Sequence, residues 1–124
     1  MKGLKKAFCV FGTAMCLLGS TVTASADTIQ FNVTYPGDQY SYTVRKADSE
    51  QRFYVTGTSF SRTGRLYCTS HKVSDHSVSG STSITPSSPS SSGAYGKYAK
   101  AKEQYELYTT ASVSGLNVIG RYTP

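Results

Sequence analysis

The chain of 124 residues has no tryptophan, three cysteines and only seven acidic side chains against thirteen Lys and Arg. Cys9 and Cys16 fall within the first 26 residues, so Cys68 is the single cysteine downstream of them. One cysteine makes no intramolecular disulfide, which excludes the disulfide-stapled miniproteins and leaves packing to hold the fold together. The few carboxylates show no spacing of an acid/base couple. No glycine-rich phosphate loop, calcium loop, nucleophile elbow or tandem repeat is present. No apolar run approaches the roughly 20 residues of a membrane-spanning helix.

What the chain does have begins with a leader pattern. Met1 to Lys6 carries Lys2, Lys5 and Lys6, Ala7 to Leu18 is nearly free of polar groups, and Gly19 to Ala26 turns small and polar before Ala24-Ser25-Ala26. A positive start, a short apolar run and a small-x-small ending are what a signal peptidase accepts. Phe8 and Met15 precede the two leader cysteines, so neither offers the small residue that a lipid anchor needs. The expected product is residues 27–124, released to the medium or held non-covalently at the cell wall. Three lysines leave with the leader, so ten basic residues face seven acids, a net charge of +3. That excess favours solubility and attraction to an anionic wall, and falls well short of a nucleic-acid binder. Export without cysteine pairs points to a Gram-positive origin.

The 98 residues after the leader carry all ten tyrosines and 29 Ser and Thr, a composition that favours strands and turns. Thr28 to Tyr35 alternates Ile29, Phe31, Val33 and Tyr35 against polar neighbours, and Pro36-Gly37-Asp38 closes it with turn chemistry. Gln39 to Arg45 repeats the pattern with Tyr40, Tyr42 and Val44 inward. Arg52 to Thr58 offers Phe53 and Val55, and Arg65 to Ser70 offers Leu66 and Cys68. Val73 to Val78 and Ser81 to Thr85 read as two further strands, and 94–103 as extended chain rather than helix. Gln104 to Ala111 and Leu116 to Tyr122 alternate clearly around a Ser114-Gly115 turn. Residues 86–93, a Pro/Ser run with nothing to bury, read as a loop. Six to eight short strands with regular turns predict a single all-β domain over 27–124, a small antiparallel β-sandwich or open barrel.

The order of segments resembles a group of small secreted proteins of Gram-positive bacteria classed as a domain of unknown function. The resemblance is carried by Ile29-Gln30-Phe31-Asn32-Val33, Val78-Ser79-Gly80-Ser81, Tyr105-Glu106-Leu107 and Gly120-Arg121-Tyr122-Thr123-Pro124. It implies an exported β domain and no activity. A fainter likeness, through His71, Lys72, His76-Ser77 and the Tyr-rich end, is to bacteriocins of the lactococcin 972 type, and implies a secreted effector or its partner.

Two groups of side chains have the right chemistry for a site. Cys68, His71, Asp75 and His76 supply the donor types of a metal centre or of a small Cys-His hydrolase, provided that a turn at Lys72 to Ser74 folds them together. In an unbroken strand, positions 68 and 71 face opposite ways, which leaves Cys68 as a small hydrophobe. Lys97, Lys100 and Lys102 interleave with Tyr95 and Tyr98, and lysine charge beside aromatic faces suits an anionic polymer. The resulting expectation is a non-catalytic exported interaction module without cofactor, with a cell-wall polymer or another surface protein as its partner.

Overall fold

The computed structural model describes residues 28–37, 39–41 and 43–124; the leader and its cleavage point lie outside the described residues, as do Asp38 and Tyr42. Alternating side chains decide which strands form and which way they face. Eight strands result, with no helix among the described residues: β1 (Ile29–Thr34), β2 (Val44–Arg45), β3 (Arg52–Phe60), β4 (Leu66–Lys72), β5 (Asp75–Ile84), β6 (Ser90–Ala94), β7 (Gln104–Ala111) and β8 (Asn117–Thr123). They build two antiparallel four-stranded sheets, in the orders β1-β8-β3-β6 and β2-β7-β4-β5. The expected antiparallel β-sandwich is what forms.

Between the sheets lie Phe31, Val33, Phe53, Val55, Leu66, Cys68, Ile84, Tyr105, Leu107, Leu116, Val118 and Tyr122, all buried. Each large apolar side chain contributes about 1.5–3 kcal/mol by leaving water. The core also holds polar groups, and these are matched to one another. Ser70 Oγ lies 2.6 Å from the Tyr122 hydroxyl and 2.8 Å from the Tyr95 hydroxyl. Ser70 is on β4 and Tyr122 on β8, so this junction joins the two sheets. Lys46 is fully buried as well: its ammonium donates to the backbone oxygen of Pro124 at 3.1 Å, lies 3.5 Å from Asp48 Oδ1, and stands 5.4 Å from the centre of the Tyr95 ring. Burial lowers the Lys46 pKa, opposed by the charge and hydrogen bond of Asp48.

Several segments differ from the sequence expectation. The Pro/Ser stretch 86–93 is not all loop, because Ser90–Ala94 forms β6 and pairs with β3. The inward positions of β6 are Ser91 and Gly93, opposite Val55 and Phe53. Their smallness suits the place where the sheets converge: Ser91 Oγ meets Thr82 Oγ1 of β5 at 2.5 Å, and Gly96 N–H donates to Ser79 O at 2.9 Å. The two short strands expected between Val73 and Thr85 are one continuous strand, β5, and residues 95–103 are an irregular connection rather than a strand. Among the described residues of Gln39 to Arg45, Val44–Arg45 is strand and Tyr40 makes an isolated bridge to Tyr108, and Tyr40 is exposed rather than inward.

The β5–β6 edge depends on the absence of a side chain at Gly80. A Cβ there collides with the backbone carbonyl of Ala94 and stands 3.1 Å from the Phe53 ring. Backbone cannot yield as a flexible side chain does, so Gly80→Ala is expected to destabilise the domain by about 1–3 kcal/mol. Gly96→Ala, whose Cβ meets nothing nearer than Ser79 O at 3.8 Å, is the matched control and is expected to be nearly neutral. Urea denaturation of both variants checks this, and equal midpoints for the two would show that the sheets do not close there.

Candidate functional site

β4 carries two faces of different chemistry. Leu66, Cys68 and Ser70 point into the core, while Tyr67, Thr69 and His71 point outward. The register sets Tyr67 between Thr110 and Ser83, Thr69 between Tyr108 and Ser81, and His71 between Glu106 and Ser79. The outer face of the β2-β7-β4-β5 sheet is thus a surface of tyrosine, hydroxyl and imidazole groups. Tyr40 completes it, 5.0 Å from Tyr108 and 6.5 Å from His71 between ring centres. Tyr40 is 58% and Tyr67 48% exposed.

At the centre of this face two histidines stack. The β4–β5 register jumps from His71↔Ser79 to Lys72↔Asp75, so the segment between Asp75 and Ser79 bulges and carries the His76 ring onto His71, with centres 4.1 Å apart. His71 is buried, and its Nε2 has no hydrogen-bond partner; Glu106 Oε2 stands 3.7 Å away, an ion-pair distance rather than a hydrogen bond. Burial, and then the neighbouring His76, push the His71 pKa below 6.5, while Glu106 pulls the other way.

The expected Cys68, His71, Asp75 and His76 cluster does not assemble. Cys68 is in the core, where burial pushes its thiol up to about 12, and its Sγ faces the Leu66 carbonyl at 3.8 Å. That thiol is a small hydrophobe, not a nucleophile. Asp75 instead takes hydrogen bonds from the Ser77 N–H at 3.1 Å and the Ser77 hydroxyl at 2.7 Å. Only His71 and His76 meet, and among the described residues no three His, Cys, Asp or Glu side chains are arranged to hold a metal ion.

The lysine and tyrosine group divides in a similar way. Tyr95 is a core residue whose hydroxyl binds Ser70, so it faces no ligand. Tyr98 is 67% exposed, and Lys97 and Lys100 are exposed beside it. Gln51 holds this connection in place by accepting from Ala99 N–H at 2.6 Å and donating to Ala99 O at 2.9 Å. Lys102 lies further on, in a left-handed backbone conformation with φ 70°. Among the described residues no helix is long and apolar enough to cross a membrane.

Tyr40, Tyr67, Tyr108 and Glu106 were not among the side chains expected from the sequence to form a site. The outward alternation of Tyr67-Thr69-His71 and Glu106-Tyr108-Thr110 is visible in the chain, but only the β4–β7 register shows that the two triplets are neighbours. Comparisons with known proteins find no matching family model, no similar curated protein and no similar solved structure. The likeness to small exported Gram-positive proteins therefore stands on its residue pattern alone.

The lowered His71 pKa has a defined consequence. A base whose folded pKa lies below its unfolded value stabilises the fold fully above about pH 6.5 and loses that contribution as pH falls through its folded value. The denaturation midpoint of the wild type is expected to drop between pH 7.5 and 5, and His71→Gln to show a shallower drop over the same window. Identical slopes for the two proteins would mean that His71 titrates as it does in the unfolded chain.

Proposed function

We propose that this chain is an exported, non-catalytic binding module that holds a cell-wall polymer or a surface protein against the outer face of the β2-β7-β4-β5 sheet. One observation carries the reading: Tyr40 and Tyr108 stand beside the His71–His76 stack, and Tyr67 lies four residues back along β4 on the same sheet face. Tyrosine gives a large contact area at a low entropic cost and a hydroxyl for adaptable hydrogen bonding. The flanking Thr69, Thr110, Ser81 and Ser83 add hydroxyls at the strand spacing.

Support also comes from what lies elsewhere. The reactive side chains, Cys68, Ser70 and Lys46, are in the core, each engaged with a neighbour and closed to a substrate. The lysine-led apolar leader with its Ala24-Ser25-Ala26 ending supports export. A hydrogen-bonded sheet presents its side chains from an ordered backbone, which lowers the ordering cost of binding and suits a recognition surface.

Retention of the exported protein on purified Gram-positive cell walls tests the reading. Tyr40→Ala and Tyr67→Ala are each expected to lower retention about 5- to 30-fold, the range of a contact worth 1–2 kcal/mol, with thermal midpoints unchanged because both rings are exposed. Undiminished retention in both variants would contradict the surface assignment. Release of soluble wall fragments by the protein would contradict the non-catalytic assignment.

A further inference from the structure

The tyrosine face does not end at His71. Val73 N–H donates to Gln104 O at 2.9 Å, and Arg45 pairs with Gln104, so Val73, Gln104 and Arg45 form the next row beyond His71 and Glu106. There Arg45, Val73, Ser74, Lys102, Glu103 and Gln104 line an open cleft of about 290 Å³. From the Tyr67 row to the Val73 row the strand rises about 20 Å, at roughly 3.3 Å per residue.

The cleft has two cationic side chains, Arg45 and Lys102, and the backbone of Lys102 is held in place. Lys102 N–H donates to Lys46 O at 2.7 Å, and Arg45 Nη1 donates to Lys102 O at 3.3 Å, which fixes the left-handed Lys102 at the rim. A non-glycine residue kept in that region is costly, and such positions cluster at ligand sites. Two more lysines flank the same end. Lys97 Nζ donates to the Ser77 hydroxyl at 3.3 Å, and Lys72 is the last residue of β4, so both lysines stand near the β4–β5 turn that carries Ser74. Glu103 is the acidic member of the lining, and it is half-buried.

We infer that this cleft is an oxyanion site and that the ligand of the sheet face is an anionic sugar polymer, its rings on Tyr40, Tyr67 and Tyr108 and one phosphate or carboxylate between Arg45 and Lys102. The inference rests on reading the sheet face as the recognition surface and adds the ligand class. Charge complementarity selects the polymer: the cleft supplies a guanidinium for bidentate contact, an ammonium, the Ser74 hydroxyl and the Gln104 amide, all donors to an oxyanion. A neutral glycan has no group to match the second cation of the lining, since Glu103 is one carboxylate against two.

Titration calorimetry of the exported protein with phosphomannan, polygalacturonate and neutral dextran tests this and separates a phosphate source from a carboxylate one. At least one anionic polymer is expected to bind more tightly than dextran. Combining Arg45→Gln with Lys102→Gly should weaken that binding roughly tenfold, as loss of a charge-assisted contact does. Lys102→Gly removes the ammonium and relieves the left-handed backbone, so a stable variant with weak binding cannot be ascribed to misfolding. Arg62→Gln with Arg121→Gln removes the same charge elsewhere and should leave binding unchanged. Dextran binding as tightly as the anionic polymers, or equal weakening in the control pair, would overturn the inference. Loss of wall retention on Tyr67→Ala with no effect of the Arg45 and Lys102 changes would overturn the cleft and leave the sheet face standing. The converse pattern would keep the anion site and overturn the sheet face.

Discussion

A buried hydroxyl ties the centre of one sheet to the centre of the other. Ser70 Oγ sits between the phenols of Tyr95 and Tyr122, and its one proton and two lone pairs let it bond both. Both phenols are buried, and burial raises both pKa values above 10, so the junction is protonated at neutral pH. Removing one member strands the others in the core, where an unsatisfied polar group costs about 1–3 kcal/mol. Apolar packing tolerates some sliding of sheet against sheet, whereas this junction does not.

The rest of the molecule inherits its geometry from that point. Ser70 on the inside fixes His71 on the outside, because successive residues of a strand face opposite ways. Tyr95, anchored by the same hydroxyl, begins the 95–103 connection and carries the Lys46 ammonium over its ring. Lys46 in turn binds Lys102 through backbone, and so places the cationic rim of the cleft. The outer tyrosine face and the basic cleft are thus two consequences of one buried arrangement.

Much of this was legible in the chain. The alternation in Thr28–Tyr35, Arg52–Thr58, Gln104–Ala111 and Leu116–Tyr122 identifies four strands and their inward residues, and Phe31, Val33, Phe53, Val55, Leu107 and Val118 are all in the core. β6 was hidden because Ser-Ser-Ser-Gly-Ala carries no hydrophobic signal; its small residues are required by the converging sheets, a tertiary demand that leaves no local trace. Tyr95 looked like a surface aromatic among lysines, yet a phenol with a hydroxyl partner is as good a core residue as phenylalanine. The grouping of Cys68 with His71 failed for a local reason, since β4 runs unbroken through both and sends them to opposite faces. The His71–His76 stack depends on a bulge that no residue pattern announces.

A double-mutant cycle on Ser70→Ala and Tyr122→Phe, read by urea denaturation, tests the junction most directly. Each single variant is expected to lose about 1–3 kcal/mol, and the double variant to lose less than their sum by more than 0.5 kcal/mol, as groups in one hydrogen-bond network do. Losses that add to within about 0.3 kcal/mol would show that the two hydroxyls stabilise the domain independently, and that their junction does not couple the sheets.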